Sequence, residues 1–517
     1  MRLRSAAPLF LAVLLPAQAP APDVARMHAD LFFLAGPECR GRATGQPGQR
    51  LAAAYIARRM KENGLAPLQG PGMGGATPYH FPYRLQHSTL DLAATTLRCG
   101  SASLLAGKDF IPMMPPVSVE GDALFLGYGV HAPDLGWDDY KGVEAKGRFV
   151  VVLSGHPHAL DGRSEDERLR LRAKIKAARD AGALGLVEVQ PWTEANRPVR
   201  ELMLDWAAES YSLEGRAPRS RNALTMSESA ALAAGLDAAQ ARRQQDAAPA
   251  PLPPRGLGHW RYEPKVREDT VEASDLAALI PGQDPKVRDE VVVVSAHHDH
   301  VGFQGGAEHP GADDNASGTV GILEAGRILA KAHPRRSILI LSVSGEELGL
   351  FGSEAFLDHS PIPLPRLKAD INIDMVGREG LSDLTVTPSR IPSAVGTLTE
   401  RARALAPAHG FSLRPDADPF WERSDHYNFF KRGIPAVFFF DGMTADYHKP
   451  GDTPDKIDLA KVAKVVTLVR DLALDVANAE DTPKPLPDST WASWTWPTAP
   501  GPGASETAGA AKSTANH

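Results

Sequence analysis

Between Asp269 and Ala477 the chain alternates short, unbroken apolar runs with stretches of helical periodicity, and no other feature restricts its fold as much. The runs Val291 to Val294, Ile338 to Val343, Ala369 to Ile373 and Pro435 to Phe440 are β-branched or aromatic enough to be buried strands. Between the first two, Thr319 to Ala332 is apolar at Val320, Leu323, Ile328 and Leu329, which predicts a helix. Strands alternating with helices imply an α/β sheet with helices on its faces.

At 517 residues the chain exceeds one ordinary core, so a second globular unit is expected. Upstream, Gln49 to Gly64 reads as an amphipathic helix ending at Asn63-Gly64. From about Val117 the texture changes to strands at Ala123–Leu126, Phe149–Leu153 and Gly185–Val189, with a helix at Leu171–Ala181. The Ala/Gln-rich segment 230–252 closes on prolines, as a helix followed by a linker does. Beyond Asp481 the chain is rich in Pro, Ala, Thr and Ser and is expected to be disordered, unless Trp491, Trp494 and Trp496 pin part of it.

Residues 1–21 combine Arg2 and Arg4, an apolar run from Ala6 to Leu15 and an A-x-A site, the order of a secretory signal peptide. The run falls short of the roughly 20 residues needed to span a bilayer. A secreted or periplasmic protein is expected, with the cleavage site left open by Pro20 and Pro22. Cys39 and Cys99 are the only cysteines, too few for a cysteine-built metal site; they either pair or remain two small hydrophobes. A net charge of −7 and the lack of a basic, aromatic-interleaved stripe point away from nucleic acid.

Chemistry-bearing residues stand at the end of each apolar run, where ligands bind in open α/β sheets. The first run ends in His297-His298-Asp299-His300. His297 is assigned as a metal ligand and Asp299, two residues on, as the carboxylate that accepts its second ring N–H; His298 and His300 compete for the ligand role. The acidic loop 311–318 either caps the helix that follows or, through Asp314, bridges two cations with its two oxygens. Glu346 and Glu347 follow the second run, and adjacent carboxylates need separate roles. Glu347 binding metal and Glu346 taking a proton from water is one solution; an exposed helix start is the other. Asp374 follows the third run and His448 the fourth. Two histidines and three carboxylates suit Zn²⁺, with Co²⁺ or Mn²⁺ as substitutes.

The motifs AHHDH, GADDNASG, SGEELGLFGSE, NIDMVG, RSDHYNFFKRGIPAVFFF and DYHKPGDTPDKID, in this order, resemble the co-catalytic zinc aminopeptidases of metallopeptidase family 28, as does the upstream LAGPECRGRATGQPGQRLAAAYI. The resemblance implies a zinc exopeptidase fold: a mixed central sheet with helices on both faces, carried by residues 24–116 and 267–480. It also implies a β-rich, protease-associated-like insert over 117–266. By residue, it implies two zinc ions per chain, His297 and Asp374 on one, Glu347 and His448 on the other, and Asp314 bridging. Glu346 would be the general base, Asp299 the residue orienting His297, and a non-proline cis peptide would follow Asp314. Peptides would be the substrates, cut at the N-terminal bond by metal-activated water.

Three other readings compete. A carboxypeptidase for acidic C-termini needs arginines aimed into the pocket, for which Arg378 and Arg423 are candidates against a surface or structural role. A glutaminyl cyclase shares the scaffold with a single zinc. A binding or receptor protein would have lost ligands, and this chain retains the full set. A pocket near Phe420 and Trp421 would favour apolar side chains.

Overall fold

The computed structural model describes residues 20–113, 117–164, 166–193, 203, 209–216 and 223–496. The expected signal peptide lies outside this set except for residues 20 and 21. The chain divides into two compact units, Met1–Tyr83 with Glu272–His517, and Arg84–Val271.

The first unit is built on helices α1 (Val24–Leu34), α2 (Pro47–Glu62), α3 (Gly318–Leu329), α4 (Phe351–Asp358), α5 (Thr397–Leu405), α6 (His426–Lys431) and α7 (Leu459–Asn478). Its strands are β1 (Val266–Ile280, of which residues 272–280 belong to this unit), β2 (Val291–His297), β3 (Ser337–Val343), β4 (Leu367–Ile373), β5 (Asp383–Thr387), β6 (Ser412–Arg414) and β7 (Ala436–Phe440). In the sheet they run in the order β1-β3-β2-β4-β7-β5-β6. Strands β3, β2, β4 and β7 are mutually parallel, while β1 and β5 join antiparallel, so the sheet is mixed.

Every residue of β2 and β3 is buried, which is why both read as continuous apolar runs instead of alternating ones. Their register sets His297 beside Val343, while Ile373 stands beside Phe439, so the four parallel strands finish at one edge. Helix α7 starts at Asp458, whose carboxylate accepts from the backbone N–H of Ala460 and Lys461. Its buried Val462, Val465, Val466, Val469, Leu472, Ala473 and Val476 recur at helical spacing and join the core together with α3 and α1. Burying each such Val or Leu contributes about 1.5–3 kcal/mol. Helix α3 begins directly under the strand ends: a Cβ on Gly318 would collide with the Asn315 side chain and lie 2.5 Å from the Ile373 carbonyl, so only glycine lets the helix start there.

The second unit carries an eight-stranded mixed sheet ordered 102–105, 96–99, 255–263, 119–125, 149–153, 185–190, 223–227, 110–113. Its boundary differs from the change of texture at Val117. The short strands Thr96–Cys99, Ala102–Leu105 and Phe110–Met113 pair with strands later in the chain, and so belong with them. The expected helix over 230–252 is two, Glu228–Ala233 and Ala238–Ala247, parted at Gly235, whose φ of 90° ends the first.

Cys39 and Cys99 are both buried and unpaired. The C-terminal stretch departs from the disorder expected of its composition. The Leu486 N–H donates to the Val395 carbonyl at 3.0 Å, and the Arg403 guanidinium carbon lies 4.7 and 5.0 Å from the Trp494 and Trp496 ring centroids. The tryptophans thus pin residues up to 496, while 497–517 lie outside the described residues. Among the described residues no helix is long and apolar enough to cross a membrane.

Candidate metal centre

Two groups of donor atoms meet at the carboxyl edge of the parallel strands. His297, Asp314 and Asp374 form one; His300, Asp314, Glu347 and His448 form the other, and within each the donor atoms lie within 4.8 Å of one another. All five residues singled out as ligands in the sequence are therefore brought together, and Asp314 belongs to both groups. His297 Nε2 is 3.4 Å from Asp314 Oδ1 and 3.2 Å from Asp374 Oδ1. His448 Nε2 is 3.1 Å from Asp314 Oδ2 and 3.0 Å from Glu347 Oε2.

These separations are short, yet His297 Nε2, Asp374 Oδ1 and His448 Nε2 are buried atoms with no hydrogen-bond partner. The atoms are close without being aligned to bond each other; they converge on shared points. Ligands about 2.0–2.1 Å from a tetrahedral zinc stand roughly 3.3 Å apart, which is the spacing found. The electrostatics point the same way. Burial alone would lower the His448 imidazole, but Asp314 and Glu347 hold it up at about 10. Burial likewise opposes the charged form of His297, and Asp374 and Glu346 override it and raise the ring well above its ordinary value. Asp314, pushed up by burial, is pulled well below the usual carboxylate range by His297 and His448. The site stabilises positive charge, and each of its two donor groups could hold a metal ion.

Residues distant in sequence fix this geometry. Asp452 accepts from the Asp313 and Asp314 backbone N–H groups at 3.0–3.1 Å, aiming the Asp314 carboxylate. Ser424 Oγ donates to Asp374 Oδ2 at 2.9 Å, and Thr319 Oγ1 to the His297 carbonyl at 2.7 Å. Asp299 ties two segments together: its carboxylate accepts from Thr44 Oγ1 at 2.7 Å and from the Glu346 and Glu347 N–H groups at 3.3 and 3.4 Å. The buried Arg42 sends its guanidinium to the carbonyls of His298 (2.8 Å), Leu34 (2.6 Å), Pro310 (2.7 Å) and Gly311 (2.7 Å). It clamps the two loops that flank His297 and Asp314. Sequence reasoning did not single out Arg42, Thr44 or Asp452 for the site. The only signal for them was their place inside the quoted motifs.

The three competing histidines separate. His297 faces the donor groups, while His298 turns away to Ser342 Oγ at 3.1 Å and the Gln49 side chain at 2.9 Å. Burial drives its imidazole down to about 3. His300 places Nδ1 2.7 Å from Glu347 Oε1, so it adjoins the second group beyond the five expected residues. Asp299 sits less directly on His297 than expected: Nδ1 is 3.2 Å from the Asp299 carbonyl and 3.6 Å from its Oδ1. The Asp314–Asn315 peptide is cis.

Glu346, Asp314 and Asp374 open on a cavity whose other walls include Phe420, Phe438, Phe440 and Tyr447. Burial pushes the Glu346 carboxyl well above its usual value, and Glu347 and Asp374 add to this against the pull of His297. Trp421, expected beside Phe420, packs behind the wall on His426 and Phe430 instead.

A mixed α/β sheet with two histidine–carboxylate groups at its carboxyl edge is an arrangement suited to holding metal. Residues 275–473 match the pattern of Peptidase family M28. The chain is 32% identical over 209 residues to "Aminopeptidase YwaD" of Bacillus subtilis (strain 168), a stretch covering 38% of this chain and 43% of that protein. It is 31% identical over 215 residues to a "Probable leucine aminopeptidase" of Arthroderma otae, covering 40% of this chain and 58% of the other. The chain thus spans about half the length of these relatives. In fold it is similar to the aminopeptidase from Aneurinibacillus sp. strain AM-1, with a TM-score of 0.55 at 19% identity over 89% of this chain and 96% of the other.

Proposed function

We propose that this chain is an exported, dinuclear zinc aminopeptidase that hydrolyses the N-terminal bond of peptides. The observation that carries the reading is the sharing of Asp314 between two convergent donor groups. His297 and Asp374 would hold one ion, Glu347 and His448 the other, with Asp314 between them. Zinc bound there supplies Lewis acidity, polarising a carbonyl and lowering the pKa of water.

Glu346 has no metal-sharing partner, lines the cavity and has a raised pKa, so it can take a proton from water and return it to the leaving amine. Asp299 orients His297 through its carbonyl and holds the Glu346–Glu347 backbone through its carboxylate. Three carboxylates lining the cavity, Asp314, Glu346 and Asp374, favour a substrate arriving with a cationic N-terminus, which supports an aminopeptidase over a carboxypeptidase. The second unit is read as a protease-associated-like module.

The test is Glu346→Gln. Turnover of an aminoacyl-p-nitroanilide should disappear, while zinc stays near two per chain by elemental analysis; chelator should silence the wild type. Loss of zinc in the variant would make Glu346 a ligand. Activity that survives chelation, or one ion per chain, would overturn the dinuclear reading.

A further inference from the structure

The cavity beside the donor groups has a lining that one side chain does not match. Met375, Phe420, Phe438, Phe440, Met443 and Tyr447 give it apolar and aromatic walls, and Arg423 is the only cation among its lining residues. The guanidinium is held in place: its carbon lies 5.6 Å from the Phe420 ring centroid and 5.8 Å from that of Tyr447. One nitrogen, Nη2, donates to the Tyr447 hydroxyl at 3.0 Å. Tyr447 is in turn stacked on His448, with centroids 3.9 Å apart and planes at 23°. The cation is thereby tethered to the loop that bears a donor of the second group.

That one bond uses a single guanidinium N–H of five, and among the described residues no carboxylate pairs with Arg423. The other arginine considered for the pocket is committed, since Arg378 meets Asp446 at 3.0 Å and Asp452 at 3.9 Å. A fixed guanidinium with no carboxylate partner, set among the apolar and aromatic walls of a cavity whose three carboxylates lie at the donor groups, recognises a planar anion by paired hydrogen bonds.

We propose that Arg423 is a specificity-determining residue that binds a carboxylate of the substrate within one residue of the scissile bond. The proposal rests on the exopeptidase reading for its substrate frame. The carboxylate can come from an acidic side chain lodged in the cavity, whose walls would cover its methylenes, or from the C-terminus of a dipeptide. A charge-assisted pair at a partly exposed rim is expected to change kcat/KM about tenfold.

The experiment compares zinc-loaded wild type with Arg423→Gln, Arg423→Glu and Arg423→Lys on two substrate pairs, glutamyl- against glutaminyl-p-nitroanilide and Leu-Gly against Leu-glycinamide. The readout is the ratio of kcat/KM for the carboxylate member to that for its neutral counterpart. This ratio should fall about tenfold in Arg423→Gln, further in Arg423→Glu, and by an intermediate amount in Arg423→Lys, whose ammonium keeps the charge but not the paired bonds. A fall in the first pair assigns the side-chain source and in the second the C-terminal source. Ratios unchanged in both pairs overturn the proposal. In parallel, calorimetry measures binding of L-glutamate against L-glutamine, and of Leu-Gly against Leu-glycinamide, to each variant. No turnover of any substrate together with a binding ratio that still falls would sink the exopeptidase reading and leave the carboxylate site standing. Binding ratios indifferent to residue 423 would overturn the site itself.

Discussion

Replacing Arg42 with methionine keeps an unbranched chain in its tunnel but removes four hydrogen bonds to the carbonyls of Leu34, His298, Pro310 and Gly311. Each bond comes from a charged donor, worth about 1.5–3 kcal/mol net, and each leaves an acceptor behind in the interior. Against this stands the relief of no longer burying a fully enclosed guanidinium, whose pKa is lowered by burial despite nearby Cys39, Asp314 and Asp452. Breaking an interaction of this kind from one side nets a destabilisation of about 3–5 kcal/mol, a drop of roughly 10 °C in the midpoint of the first unit. The second consequence is specific to the site. His298 and Gly311 flank His297 and the Asp314 loop, so releasing their carbonyls should weaken zinc affinity about 10–100-fold. Calorimetric unfolding gives the first quantity and competition with a chromophoric chelator the second. Arg42→Lys, whose single ammonium cannot reproduce the planar fork, should fall between the two. A methionine variant that melts lower but binds zinc as tightly as wild type would refute the link between the clamp and the donor geometry.

Other perturbations probe different parts of the chain. His426, stacked on Phe438 with centroids 4.7 Å apart, is driven by burial down to about 3. The fold therefore favours the neutral ring, so its contribution is complete above an unfolded pKa of about 6.5 and is lost as pH falls towards 3. In urea titrations with chelator present, His426→Leu should flatten the acid limb by up to about 1.4 kcal/mol per pH unit over that window; parallel curves would contradict the sign argument. Gly48→Ala would drive a Cβ into the Cys39 carbonyl, a backbone atom that cannot rotate away, and should cost about 1–3 kcal/mol in unfolding experiments. An alanine variant as stable as wild type would show that the loop before α2 yields freely. Asp314→Asn should lower zinc from two ions per chain to one or none by elemental analysis, and retention of both would remove Asp314 as the bridge.

The part of the site legible in the sequence is the part delivered by strands. A strand buried on both faces announces itself as an apolar run, and the polar residues just after it sit near the sheet's edge; that brings His297, Glu347 and Asp374 to the edge, while the choice of His297 among three histidines and of Glu347 over Glu346 rests on the motif resemblance. What the run does not encode is which way each residue of a His-His-Asp-His stretch turns once the strand ends. His298 and His300 are settled only by partners on other elements, Ser342 and Gln49 for the one and Glu347 for the other. The clamps were hidden for a related reason. Apart from the Arg42 bond to the Leu34 carbonyl, Arg42, Thr44 and Asp452 act on backbone groups or carboxylates between 138 and 301 residues away, through bonds that any polar residue of suitable length could make. Composition likewise placed the second unit's start at Val117, because a four-residue strand such as Thr96–Cys99 carries no mark of its partner, and only its pairing with Trp260–Glu263 assigns it. The donors are therefore written locally and their aim is written globally. That division makes Arg42 the more searching test of the centre than any ligand: removing a ligand must disturb metal binding under every reading, whereas removing a residue that touches only carbonyls disturbs it only if the loop geometry described above is what holds the donors convergent.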